Sequence, residues 1–438
     1  MLAPFLSEVD PATTSEGSID PLGLYAIADS LAMKLAPGVR ERQSHPGYLT
    51  AIAVAASLCS RFDQDAIAQD GVSEPWQVFE WYMVEGLVRT TEDNDELVGL
   101  PGREKAARVL DNKLHLSADR YLKTPRVFGF HGVYRRLARD LDVIDRFGYP
   151  GETGYDLITT WEKEQRLEGF FSEEKGPGPG DYHSRQLYNA VKDSLGKGAV
   201  CRSGGWSGWS FFHRYLNPSR IGVKEGKIIF DALLNPEAEI RRQVLLFLIS
   251  DEGIKIRQDS ESERRFHEGL RLKADPILKE LLDTISLYEE FSRLLQDAFD
   301  DCRYLMTQKR GKVSPKEFSH LGGVIQASRR VPEIYGPLSD RLQAFGEAIR
   351  FENNFLLIAE KLPPENWVSL LLEHHRRIQA NKPPAGKAPW YERFDDGSAI
   401  IRPAYRRKKG GLHNDEYLHS YRTDPLWSFC RDLNKVPK

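Results

Sequence analysis

The stretch Ile277-Leu-Lys-Glu-Leu-Leu-Asp-Thr-Ile-Ser-Leu-Tyr-Glu-Glu-Phe-Ser-Arg-Leu-Leu-Gln-Asp-Ala-Phe-Asp-Asp-Cys-Arg-Tyr-Leu-Met-Thr307 decides the fold. Neither glycine nor proline interrupts it, and Asp275-Pro276 just ahead marks a start, so a long helix is predicted over 277–307. Helical patterning continues on both sides, from Lys224 to Glu360, with breaks at Asn235-Pro, Gly253, Asp275-Pro, Ser314-Pro and Gly336-Pro. Ser314-Pro-Lys-Glu317 combines a capping serine, proline at the first helical position and glutamate three residues on, which together satisfy the free N–H groups of a helix start. A second long helix is read over Leu338 to Leu362. The fold class that follows is mainly α: a multi-domain protein whose middle is a scaffold of packed helices without a fixed repeat period.

The chain has 438 residues, 40% of them hydrophobic and 29% charged, enough apolar material for two or three folded domains and too much for a disordered chain. Glu173-Glu-Lys-Gly-Pro-Gly-Pro-Gly-Asp181 can continue neither helix nor strand, so domains are expected over 1–175, 181–362 and 363–438. The longest apolar run, Val244 to Ser250, is far shorter than a membrane span, and Met1 to Glu8 carries no cationic region before an apolar one. A cytoplasmic location with no membrane contact is expected. The four cysteines, Cys59, Cys201, Cys302 and Cys430, are isolated, which points to reduced thiols and no zinc. HExxH, Walker A and GxSxG motifs are missing, and no metal or cofactor is expected.

At the N-terminal end, Leu24, Ile27, Ala28, Leu31 and Leu35 follow helical spacing until Pro37-Gly38, and the alanine-rich run Tyr48 to Phe62 reads as a buried helix. Glu74 to Arg89 is a third, with Trp76, Phe79, Met83 and Leu87 down one side. Leu100-Pro-Gly-Arg-Glu-Lys-Ala106 opens another, either as a phosphate-holding hairpin turn or as an ordinary Pro-Gly turn. Phe130, Val133, Tyr134, Leu137 and Leu141 form one helix face, leaving Arg135, Arg136 and Arg139 mostly on the other. With Gly148-Tyr-Pro-Gly151 and a further helix over 156–168, this is compatible with a helix-turn-helix or winged-helix unit; an amphipathic surface helix fits the same pattern.

The run Asp20-Pro-Leu-Gly-Leu through Pro37-Gly38 to Tyr48, with Val98-Gly-Leu-Pro-Gly102 and Pro125 to Ile144, resembles the N-terminal part of a bacterial family of unknown function whose members are often encoded near anti-phage defence genes. It covers roughly the first third of the chain. Where that family has a Pro-Ser-x-x-Tyr-Trp-like element, this chain has Pro125-Arg-Val-Phe-Gly-Phe-His-Gly-Val-Tyr134. The resemblance implies a genomic setting and no assigned chemistry, and it favours a DNA-directed defence component.

Charge directs attention to the other end. Between His374 and Arg422 lie eleven Lys and Arg against five Asp and Glu, a net of +6, so the rest of a chain that sums to −3 carries −9. A polyanion is the natural partner of such a segment, and double-stranded DNA is the one expected. Its expected contacts are Arg376, Arg377, Lys382, Lys387, Arg402, Arg406, Arg407, Lys408, Lys409 and Arg422, with Trp390 as an aromatic partner and Arg135, Arg136 and Arg139 as a second group. Tyr391 to Phe394 and Ala399 to Arg402 flank Asp395-Asp-Gly-Ser398, a hairpin signal that predicts a small C-terminal β element. Asp395, Asp396 and Glu392 beside lysines could belong to a metal-dependent nuclease, although Asp-Gly turns are common without one. His374, His375, His413, His419 and Tyr421 are the candidate catalytic set, because histidine titrates near neutrality beside phosphate-binding arginines. Three functions stay open: a DNA-binding component of anti-phage defence, a DNA glycosylase or nuclease of the same setting, or a helical scaffold docking a defence protein. The pair Trp206 and Trp209 on a glycine-rich loop could stack on bases or anchor that loop to the core.

Overall fold

The computed structural model describes residues 20–92, 94–171, 178–383 and 385–437. It is mainly α, with nineteen α-helices and one two-stranded sheet among the described residues. No helix among them is long and apolar enough to cross a membrane.

Two compact units divide the chain, and each is assembled from two separate segments. The first holds the chain up to Lys34 together with Asp259–Ser420; the second holds Leu35–Gln258 together with Tyr421–Lys438. The positions where the sequence suggested boundaries fall inside units: 178–181 in the second and 362–363 in the first. Residues 173–177 of the Gly-Pro run lie outside the described residues.

In the first unit the helix Pro276–Lys309 forms where predicted. Asp275 caps it by accepting from the Leu278 N–H at 2.7 Å, with proline at the first position, and Arg310 ends it in the left-handed region at φ 50°. It pairs with Gly322–Ala344, and ion pairs set the antiparallel register: Arg330 with Glu290 and Arg341 with Glu280. Between them the Ser314 box closes as read, Glu317 accepting from the Ser314 N–H at 2.9 Å. Gly336-Pro is not a break. Helix Gly322–Ala344 runs through both Pro332 and Pro337, because buried Val331, Ile334, Leu338 and Leu342 keep one apolar face on the core across the missing N–H groups. The long helix expected to reach Leu362 instead ends at Ala344 and resumes as Ala348–Phe355.

Pro364–Ala380 buries Trp367, Val368, Leu371 and Leu372, and the Trp367 indole N–H donates to the Ile358 carbonyl at 2.9 Å. The hairpin also forms: Tyr391–Arg393 pairs antiparallel with Ala399–Ile401, Tyr391 opposite Ile401. Its turn needs Gly397, whose φ of 77° a side chain would strain.

The second unit is built around Tyr48–Cys59, whose alanines are nearly all buried, so that neighbouring helices approach closely. Phe130–Asp140 and Glu152–Glu164 both pack on it. These two helices are joined through residues 141–151, which form a small bridge between Ile144 and Pro150. That connection is longer than the roughly three-to-four-residue turn of a helix-turn-helix, so the pair does not reproduce that motif. At Leu100-Pro-Gly102 the chain makes an ordinary turn, with Gly102 pressed under Tyr121. Trp209 anchors its loop, donating to the Ser203 carbonyl at 2.8 Å and stacking on Tyr82. The closing helix Asp424–Asp432 buries Leu426 and Phe429, and Asp432 holds His45 at 2.7 Å.

Candidate nucleic-acid interface

In the first unit, the histidines expected to do chemistry are core residues. His374 Nε2 meets the Leu22 carbonyl at 2.8 Å; His375 Nδ1 donates to the Pro21 carbonyl at 2.9 Å, and its Nε2 accepts from the Trp390 N–H at 3.1 Å. Burial pushes their pKa values down, to about 4 for His374 and about 3 for His375, so both rings are neutral near pH 7. Both nitrogens of His375 are occupied, which leaves none for a substrate proton. Together the rings hold the turn at Asp20–Leu24, where the Asp20 carboxylate accepts from four successive backbone N–H groups.

Several of the expected phosphate contacts are likewise engaged inside the protein. Lys382 reaches the Asp20 carbonyl at 2.6 Å, Arg377 donates to the Asn354 carbonyl, and Arg376 forms a bidentate pair with Glu373. Arg407 pairs with the buried Asp300 at 2.8 Å, beside Arg303 at 3.1 Å. Trp390 is only 7% exposed, stacked flat on Tyr405 at 4.9 Å with the Arg303 guanidinium over it at 4.5 Å, so no base can reach its face. Arg402 is half-buried, and Lys387 is partly exposed.

Apart from Arg376, which is exposed but held by Glu373, what remains outward is Arg406, Lys408 and Lys409. Their loop is seated on the end of the long helix: the Arg407 N–H donates to Thr307 Oγ1 at 3.1 Å, Arg303 donates to the Tyr405 carbonyl at 2.8 Å, and the Gly411 N–H donates to Asp301 at 2.8 Å. Lys309, Arg310 and Lys312 are exposed at that same helix end. Lys309 is paired with Glu317, and the Lys312 ammonium lies over the Phe394 ring at 3.5 Å. A helix C-terminus favours cations, and here the tertiary structure adds three more from a distant loop. The hairpin acids do not join them as a metal site: Asp396 accepts from the Ser398 N–H and hydroxyl, and no group of three or more His, Cys, Asp or Glu among the described residues could hold a metal ion.

His413 and His419 belong to different surroundings. A cavity of about 220 Å³ is lined by His413 and by Glu289, Glu290, Asp297, Asp415 and Glu416 against two arginines, Arg264 and Arg293. His419 Nδ1 contacts Glu289 at 3.0 Å, and His413 Nε2 contacts Asp301 at 3.1 Å. An excess of carboxylates repels phosphate, so this is no phosphate clamp. Tyr421 and Arg422 fall in the second unit. The expected catalytic set is therefore not one constellation.

The arginine helix Phe130–Asp140 in the second unit behaves differently. Its apolar face is buried as the spacing indicated, and its first turn is closed from beneath by Glu80, which accepts from the His131 N–H at 3.1 Å and from the Tyr121 hydroxyl at 2.8 Å. Burial raises the Glu80 pKa to about 7 against these bonds. Arg136 and Arg139 are exposed, Arg139 donating to the Arg146 carbonyl at 2.7 Å, while Arg135 is half-buried. Sequence reading missed the residues that surround Arg135, because Trp76, His131, Phe147 and Tyr149 come from three separate stretches of chain. Comparison of the chain with protein-family models, with curated proteins and with solved structures finds no match.

Proposed function

We propose that the protein binds the phosphate backbone of double-stranded DNA through the basic surface of its first unit. One observation carries this reading: the loop at 406–409 is docked so that Arg406, Lys408 and Lys409 stand exposed beside Lys309, Arg310 and Lys312, although the chain as a whole sums to −3. Lysines and arginines on a surface loop neutralise phosphates without reading bases, so the binding is salt-dependent and tolerant of sequence. The setting in anti-phage defence, and the cytoplasmic location, rest on the resemblance of the first third of the chain and on the sequence pattern.

Fluorescence anisotropy of a labelled duplex, titrated at several salt concentrations, tests the reading. Replacing Arg406, Lys408 and Lys409 together by Ala should weaken binding and flatten the log–log salt slope by about three, roughly 0.9 for each phosphate no longer neutralised. Unchanged affinity and slope would remove the proposal. Arg407 is left out of the variant because it serves Asp300.

A further inference from the structure

The long helix Pro276–Lys309 carries a polar stripe, Glu289, Arg293, Asp297 and Asp301, whose i, i+4 spacing places it on one face. Residues 406–419 form neither helix nor strand, so their backbone groups need partners outside the segment. The helix supplies them in order. The Arg407 N–H donates to Thr307 Oγ1 at 3.1 Å and the Gly411 N–H to Asp301 at 2.8 Å. The Leu412 and His413 N–H groups donate to the two Asp297 oxygens, each at 3.0 Å. Arg293 then donates to the Glu416 and Tyr417 carbonyls at 3.1 and 3.0 Å, and Glu289 accepts from the His419 N–H at 3.0 Å. The segment is a strap running antiparallel to the helix from Thr307 back to Glu289, about 27 Å of helix.

Two glycines let the strap lie flat. A methyl group at Gly411 would stand 2.8 Å from the Asp297 Cα, and one at Gly410 would stand 2.6 Å from Asp301 Oδ1, both too close for a side chain. The first part of the strap is the basic loop. Arg303 holds its start through the Tyr405 carbonyl, and Arg407 turns inward to Asp300, while Arg406, Lys408 and Lys409 stay exposed. The acids beneath the strap thus have two opposed effects on a polyanion. As charges, Asp297 and Asp301 repel phosphate. As acceptors, they fix the backbone that carries the cations, and a loop ordered in advance loses less conformational entropy on binding.

We infer that Asp297, Asp301 and the two glycines are positioning residues, which hold Arg406, Lys408 and Lys409 in one arrangement for the phosphate backbone of a duplex. The inference rests on the DNA-binding reading and adds that acids under the basic surface strengthen its hold on a polyanion.

Anisotropy titrations of a labelled duplex with Asp297→Ala, Asp297→Asn and Gly411→Ala, beside hydrogen exchange on the free chain, test it. Electrostatics alone predicts that both Asp297 variants bind more tightly, and equally so, because each removes one negative charge. Positioning predicts the reverse, in a graded order. Asp297→Ala loses both acceptors and should bind about tenfold more weakly, whereas Asp297→Asn keeps one acceptor oxygen and should bind about threefold more weakly. Gly411→Ala changes no charge and should also bind about tenfold more weakly, with the salt slope of the native chain, since every cation is still present. Peptides covering 407–413 should be protected in the native chain and exposed in Asp297→Ala and Gly411→Ala, while those of the long helix keep their protection. Gly411→Ala carries the test should Asp297→Ala disturb the helix itself. The inference is overturned if 407–413 exchanges at the free-chain rate in the native protein, if the Asp297 variants bind as tightly as the native chain or more tightly, or if Gly411→Ala leaves affinity unchanged. The Arg406, Lys408 and Lys409 triple variant separates the two proposals. If it loses duplex binding and the strap variants do not, positioning falls alone; if it binds as the native chain does, the DNA-binding reading falls and positioning with it.

Discussion

The C-terminal segment and the arginine helix are both rich in cations, and they use them in opposite ways. In the first unit, Arg376, Arg377, Lys382 and Arg407 meet carboxylates or carbonyls of the protein itself, and His374 and His375 are buried staples. In the second, Arg136 is exposed, Arg135 faces a cavity, and His131 is buried with an unsatisfied nitrogen. The difference teaches that net charge counts every cation, whereas binding depends on which of them lack a partner. A segment of +6 presents three outward cations on one loop, while a helix with three arginines leaves two of them exposed and half-buries the third.

The sharpest way to break this comparison is at His375. His375→Ala removes two buried hydrogen bonds and opens a cavity beside Phe299 and Trp390, and should destabilise the first unit by about 3 kcal/mol in denaturant titration. A loss below about 1 kcal/mol would show that the ring is not a staple and return it to the catalytic candidates. Within the basic loop the contrast is finer. Arg407→Ala should cost about 1 kcal/mol, because the buried Asp300 loses one of its two arginines, while the neighbouring Arg406→Ala or Lys408→Ala should leave the melting midpoint in place and act on DNA affinity alone.

Acidity should separate the units. His374 and His375 have folded pKa values below the ordinary 6.5, so unfolded chain binds more protons and the first unit loses stability as pH falls from about 6.5 towards 4. In the second unit Glu80 and Glu225 are raised from 4.5 to about 7 by burial, so folded chain holds the extra protons and stability is lost as pH rises from about 4.5 through 7. His131, at about 3, opposes one of those two acids below pH 6.5. Each uncompensated proton is worth about 1.4 kcal/mol per pH unit. Hydrogen exchange read peptide by peptide at pH 5, 6 and 7 should show protection falling with acid around His374 and rising around Glu225, which His131 does not touch; parallel trends in the two would refute the assignment. The smallest effect belongs to Arg136→Ala, expected to shift stability by less than about 0.5 kcal/mol. A larger shift there would mean that the helix's outer face is also engaged, which would erase the contrast.

Much of the local structure was legible. Asp275-Pro276, the Ser314 box and the Asp395-Asp-Gly-Ser turn each complete their hydrogen bonds within a few residues, so the signal and its partner are read together. Gly336-Pro misled because burial on the opposite helix face outweighed the missing N–H. The site was far less legible. Nothing near His375 announces that Pro21 waits for it, and nothing near Trp390 announces Arg303 or Tyr405.

By itself the sequence determined that the chain folds mainly into helices, where many of them start and stop, and that positive charge gathers near one end. Those are properties of spacing and composition, carried by neighbours along the chain. Only the tertiary structure decided which segments share a core, since each unit joins pieces separated by more than one hundred and fifty residues. It also decided which cations remain free and where a histidine, an arginine and a tryptophan enclose a cavity. The physical reason is that hydrogen-bond satisfaction and burial are settled between side chains that touch, and pairing across the chain leaves no periodic trace.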